Sequence, residues 1–335
     1  MSSGVPQVGL LSACNHQQVP FAYKMYSRVD DLGWKQSNAF KEAFSVDVTI
    51  EFFGVGDTVV SVGLIPHRLP FTTSNKIVRT LRHAVSLDER RAKFKANLWN
   101  CPTAKEATLG VEGQKPDAPQ KSKVKSNSLN NKVEAREEDV GGGSVENGTP
   151  NILARISLRW MIRECFKAET GIMFVSDSLR EVGLDPGSLY PYVLPRPPSL
   201  SAQSATIQLM ASATPAHQQV GSVGTLVDIH VSEEEHELRD ALSPIYDQLS
   251  LSWLWWSLEL LPMKQRFQKS DNSWGSYMGA NLGRGRFIPR QKKGAIKVHR
   301  SVKLRMDAQY PDGTKYKPQA SFDTALAMGN LRWVD

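Results

Sequence analysis

Between residues 103 and 138 the sequence carries Lys, Glu, Ser, Asn and Gly and almost no large apolar side chain. Such a stretch buries too little surface to offset the entropy lost on ordering, so it reads as a disordered linker or insertion. Any core must then be built by the blocks on either side. Residues 1–102 read as the first part of a core. Residues 103–138 read as the insertion, 139–230 as the second part of the core, and 231–335 as a helical and β C-terminal extension. The 335 residues, 40% hydrophobic and 22% charged, suffice for one large domain or two ordinary ones.

Val46–Gly54 is rich in β-branched and aromatic residues and ends in glycine, as a buried strand does. From Asn75 to Trp99, Ile77, Leu81, Ala84 and Val85 recur at helical spacing and predict a helix. Thr149 and Pro150 can start a second helix, whose apolar positions Ile152, Ile156, Trp160 and Ile162 carry it to Lys167. Five prolines between Gly183 and Gln203 predict an irregular surface excursion. Glu233–Leu242 reads as helix, and Ser250–Leu261 as a Trp-rich apolar helix that could meet a lipid interface, packing on the sheet being the simpler reading. Ala295–Met306 alternates, with Ile296, Val298, Val302, Leu304 and Met306 on one face of a half-buried strand. Strands interleaved with helices place the fold in the α/β class.

The net charge of +7 points only weakly to an acidic partner, and the pattern fits a solvated basic surface better than a nucleic-acid site. Cys14, Cys101 and Cys165 form no CxxC pair, so neither a cysteine zinc site nor a disulfide scaffold is expected. The N-terminus has no positively charged leader and no run is long and apolar enough to span a bilayer, so a cytoplasmic location is expected.

Two segments could carry chemistry. Asp57 follows the predicted strand through Gly54 and Gly56, at the carboxyl edge where α/β sheets gather ligands. An aspartate there can orient a histidine, or can simply cap the turn. The third glycine of a dinucleotide loop is missing, so no cofactor is expected. The second segment is Asp139-Val-Gly141-Gly142-Gly143-Ser144. Its glycines allow close backbone approach and its amides could bind an anion; a flexible turn is the simpler reading.

Three motifs together resemble a family of uncharacterised α/β hydrolases, common in fungi and related to bacterial phospholipase effectors of type VI secretion. They are Gly54-Val-Gly-Asp57-Thr-Val-Val-Ser-Val-Gly63, Arg82-His-Ala-Val-Ser-Leu-Asp-Glu-Arg-Arg91 and Asp139-Val-Gly-Gly-Gly143, in the family's order. The resemblance implies an α/β-hydrolase-like sheet, a lipid or other ester substrate, and Asp57 as the acid of a Ser–Asp–His triad. It also shows departures. Gly56 stands where the family has tryptophan. The position of the family's histidine, two residues before Asp139, holds Glu137. No apolar strand is expected to precede it, and no G-x-S-x-G elbow occurs among the 335 residues. The expectation is an N-terminally truncated or degenerate member that is inactive as written. The alternative is a non-catalytic protein that binds lipid or nucleic acid through a retained cleft and basic surface.

Four histidines do not stand where the family's should: His83 reads as a packing residue, His299 as solvated on the polar face of its strand, and His16 and His67 as loop residues. The basic run through Arg284, Arg286 and Arg290 reads as a solvated hairpin.

Overall fold

The computed structural model describes residues 8–28, 31–46, 48–59, 78–98, 132–136, 145–146, 148–201, 231–269, 274–289, 296–310, 313–322 and 331–335. The Asp139–Gly143 loop, Glu137, Ser144, His67 and residues 103–131 fall outside this set.

Near the start, β1 (Leu10–Leu11) pairs antiparallel with β2 (Ser45–Val46). Between them lie helices α1 (Val19–Ser27) and α2 (Asp31–Phe44), which meet where the Phe21 and Phe40 rings stand 5.6 Å apart. The predicted first strand begins later than its composition suggests, as β3 (Ile50–Gly56), because Val46 belongs to the β1–β2 pair.

The expected helix over 75–99 is instead strand β4 (Val78–Ser86). Leu81, Ala84 and Val85 are buried, and so are Arg82, His83 and Ser86 between and beside them. An interior strand of a parallel sheet is covered on both faces, so its apolar residues need not alternate. Here they happen to fall at helical spacing. A second correction lies inside the stretch read as disordered, where Lys132–Arg136 forms β5. A strand thus precedes the glycine motif, although its sequence, Lys-Val-Glu-Ala-Arg, is not apolar.

Later strands are β6 (Met263–Gln268), β7 (Trp274–Gly279), β8 (Phe287–Ile288), β9 (Ile296–His299), β10 (Ser321–Phe322) and β11 (Leu331–Val334). Strands β6 and β7 form an antiparallel hairpin, and β8 pairs parallel with β10. Among the described residues the main sheet has five strands, all parallel, in the order β11-β9-β5-β4-β3. Each strand lies beside the previous one in the chain, and all carboxyl ends fall on one edge. The class is α/β, as expected.

The remaining helices are α3 (Ala154–Lys167), α4 (Ser176–Glu181), α5 (Glu233–Ala241), α6 (Gln248–Leu251), α7 (Leu254–Leu260) and α8 (Arg300–Asp307). Helix α3 follows its predicted periodicity and packs on β3 and β4, but it starts at Ala154 after Leu153 rather than at Thr149 and Pro150; the Thr149 hydroxyl donates instead to Glu146 O at 2.8 Å. A side chain at Gly54 would come within 2.6 Å of the Met161 sulfur, so glycine permits that approach. Ser232 caps α5 by accepting from the Glu235 amide at 3.2 Å. The alternating stretch 295–306 is not one strand. It turns at His299, whose Nδ1 accepts from the Ser301 amide at 3.3 Å and caps α8. Val85, Leu87, Leu98, Val298 and Val302 share one core cluster. Ile156, Leu238 and Leu304 join α3, α5 and α8 in another. No described helix is long and apolar enough to cross a membrane.

Candidate functional site

The parallel register brings the ends of β3, β4, β5, β9 and β11 to a common edge. Asp57 follows β3, Asp88 follows β4 by two residues, His299 ends β9 and Asp335 follows β11. Strand β5 ends at Arg136, opposite Ser86, so the chain enters the stretch holding the glycine motif from this same edge.

Asp57 sits at a positive φ of 48°, in the small left-handed region that Asp tolerates better than most residues. Its amide donates to the Ala84 carbonyl at 2.8 Å, and its Oδ1 accepts from the Ser86 amide at 2.9 Å. The carboxylate is thus fixed across the end of β4. Its principal partner is Arg286, which places Nη1 on Oδ1 and Nη2 on Oδ2, the latter at 2.8 Å. The same guanidinium donates to Ser86 O at 3.0 Å and to Phe94 O at 2.8 and 2.6 Å. Arg286 is 1% exposed, so the reading of a solvated basic hairpin is corrected at this position. Gly285 makes the approach possible: a Cβ there would lie 2.0 Å from Gln319 O. Ser321 N in turn donates to Arg286 O at 2.7 Å.

His83 lies one strand over from Asp57. Thr58 Oγ1 donates to Asn97 O at 2.8 Å, so His83 Nε2, 3.1 Å from that hydroxyl, acts as donor to it. Burial lowers the His83 pKa to about 4; the Asp57 charge pulls it up and Arg286 pushes it down. At neutral pH it is an uncharged, packed imidazole, in keeping with its reading as a packing residue.

His299 is corrected from solvated to buried. Its Nδ1 faces Ser301, and its Nε2 lies 3.4 Å from Glu237 Oε1 on α5. Glu237 also receives Arg300 Nε at 2.9 Å and Arg196 Nη2 at 2.5 Å. Burial alone would raise the Glu237 pKa, but His299, Arg196 and Arg300 together hold its carboxyl well below the usual range. Around it, Arg163 grips Glu233 and Arg196 reaches Glu233 and Glu234. The sequence signal for this cluster was the acidic run Glu233-Glu234-Glu235, with Glu237, facing arginines scattered over more than a hundred residues.

Adjacent strands are about 4.8 Å apart, and β3 and β9 are separated by two others. Asp57 and His299 therefore stand on the order of 14 Å apart across the edge. They do not form a dyad: each has its own charged partner. Among the described residues no three His, Cys, Asp or Glu side chains converge as a metal would require.

Residues 2–164 match the family described as "T6SS, Phospholipase effector Tle1-like, catalytic domain". The chain is also 23% identical to an uncharacterised protein of Saccharomyces cerevisiae, over 92% of its own length, and spans about 63% of that protein. No solved structure matches. The chain is thus related to type VI secretion phospholipase effectors, and its yeast relative fits a fungal branch, as the three motifs suggested. The matched segment contains Asp57, His83 and the glycine motif. Arg286, Glu237 and His299 lie beyond it.

Proposed function

We propose that this chain is a phospholipase-like domain on an α/β-hydrolase-like sheet, with Asp57 at the acid position and with little or no ester hydrolysis of its own. Kinship supplies the substrate class, a phospholipid or similar ester. The observation that carries the reading of low activity is the Asp57–Arg286 pair.

In a serine hydrolase the acid must accept from the imidazole Nδ1–H, which sets the tautomer and stabilises the imidazolium formed as the serine is deprotonated. Here both Asp57 oxygens accept from a guanidinium. Freeing the carboxylate for an imidazole means giving up this two-pronged, charge-assisted pair. The histidine nearest to it in the described sheet is turned to Thr58. These 335 residues also contain no G-x-S-x-G elbow. Without nucleophile and base, a triad loses several orders of magnitude in rate.

The test is fluorophosphonate labelling of the folded 335-residue protein, with hydrolysis of a short-chain chromogenic ester measured alongside. No labelling and no turnover above buffer are expected. Stoichiometric labelling of a serine would overturn the reading.

A further inference from the structure

The Trp-rich stretch is not fully packed on the sheet as its composition suggests. Helix α7 divides it. Trp255 turns inward, edge-on to Phe94 at 5.7 Å, and Trp256 Nε1 donates to Leu249 O at 2.9 Å. Glu259, 1% exposed, accepts from Asn281 Nδ2 at 2.6 Å and from Gly283 N at 3.0 Å. These contacts fix the rotation of the helix. The opposite face is left to solvent: Trp253 is 81% exposed and Leu254 64%, and Leu260 and Leu261 follow at the i+7 spacing that repeats a helical face.

Two neighbouring segments extend this face. The Leu282 amide donates to Glu259 O at 3.2 Å, which places exposed Leu282 beside Leu260. Leu282 holds φ at 52°, a conformation costly for a bulky residue, and still leaves its side chain in water. On the hairpin, exposed Met278 pairs with Lys264, and Arg266 lies two residues on along the same outer face. Lys264, Arg266 and Arg284 are exposed. Among the described residues, the nearby acids are already paired: Glu259 as above, Asp247 with Arg90 and Glu89 with Arg91. The surface is apolar at its centre and positive at its margin.

We propose that this face, centred on Trp253, docks onto an anionic lipid surface. Tryptophan and leucine enter the headgroup boundary while the lysine and arginine margin meets lipid phosphates. The positive margin complements the anionic headgroups that would surround an apolar centre entering the bilayer boundary. This surface is independent of hydrolysis and can be tested without turnover.

The experiment is co-sedimentation of the full chain with vesicles of phosphatidylcholine alone and of equal parts phosphatidylcholine and phosphatidylserine. Binding is expected to the anionic vesicles only, and to fall as salt is raised. Trp253→Ser with Leu254→Ser should weaken it about tenfold or more, with an unchanged thermal melt because both side chains are exposed. Lys264→Gln and Arg266→Gln should each weaken it roughly fivefold. Protein that stays in the supernatant with anionic vesicles overturns the proposal, as does undiminished binding by the Trp253/Leu254 variant. Sedimentation velocity supplies a further check: a wild-type dimer that this variant converts to monomer would make the face a self-association surface and would also overturn it.

Discussion

Two carboxylates near the carboxyl edge of the sheet are neutralised in different ways. Asp57, with a side chain 23% exposed, has among the described residues one cationic partner, Arg286, which the chain supplies 229 residues later. Glu237, 2% exposed, is shared by Arg196, Arg300 and His299. The first is a single latch between the end of β3 and a loop. The second is a knot that joins α5 to β9, α8 and the proline-rich segment, where Arg300 also donates to Pro197 O at 2.7 Å. An ion buried among several partners cannot lose one group without leaving others uncompensated, whereas a half-open pair can be rescued by water. The knot should therefore govern stability, and the latch should govern whether Asp57 is available.

Glu237→Ala tests this contrast most severely. It removes the carboxylate that Arg196, Arg300 and His299 share and should cost about 3–5 kcal/mol, read as a fall in the urea midpoint. A loss under about 1 kcal/mol would show that the knot is not what holds α5.

Acid should act next. His83 is neutral in the fold and protonates near pH 4, against 6.5 when unfolded. The unfolded chain takes up the proton first, so the stability His83 contributes is complete above pH 6.5 and is lost as pH falls toward 4, by about 3 kcal/mol. His236, also lowered by burial, adds in the same direction. His83→Gln should flatten this part of the stability–pH curve; an unaltered slope would place the titration elsewhere.

Arg286→Met should cost less than the Glu237 change, about 2–3 kcal/mol, because Asp57 can rehydrate. If it equals or exceeds the Glu237 effect, the distinction between latch and knot fails. At the bottom of the scale, Arg79→Ala removes an ion pair with Glu51 whose side chains are 67% and 62% exposed, and should shift stability by less than about 0.5 kcal/mol.

What could be read from the sequence divides along the same line. Helix α3 was legible because its periodicity is local. The tip of β3 was legible for a similar reason, since glycines and an aspartate after an apolar run mark a strand end. Strand β4 was not, because burial on both faces erased the alternation that distinguishes strand from helix. His299 was misplaced because the apolar pattern of 296–306 continues while the backbone changes from strand to helix at that residue. The partners of Asp57 and Glu237 could not be read at all: Arg286, Arg196 and Arg300 are ordinary basic residues until the chain folds them inward. Asp57 itself was singled out by motif, and the structure adds the guanidinium that occupies it.

The sheet order carries a consequence for biosynthesis. Strands β3, β4, β5, β9 and β11 lie side by side in the order in which a ribosome delivers them. Roughly 160 residues separate the end of β5 from the start of β9. At ordinary elongation rates the free edge of β5 waits on the order of 10–30 s for its neighbour. During that interval the nascent polypeptide offers unpaired amides and carbonyls to any other emerging strand, and chaperone attendance would matter most then.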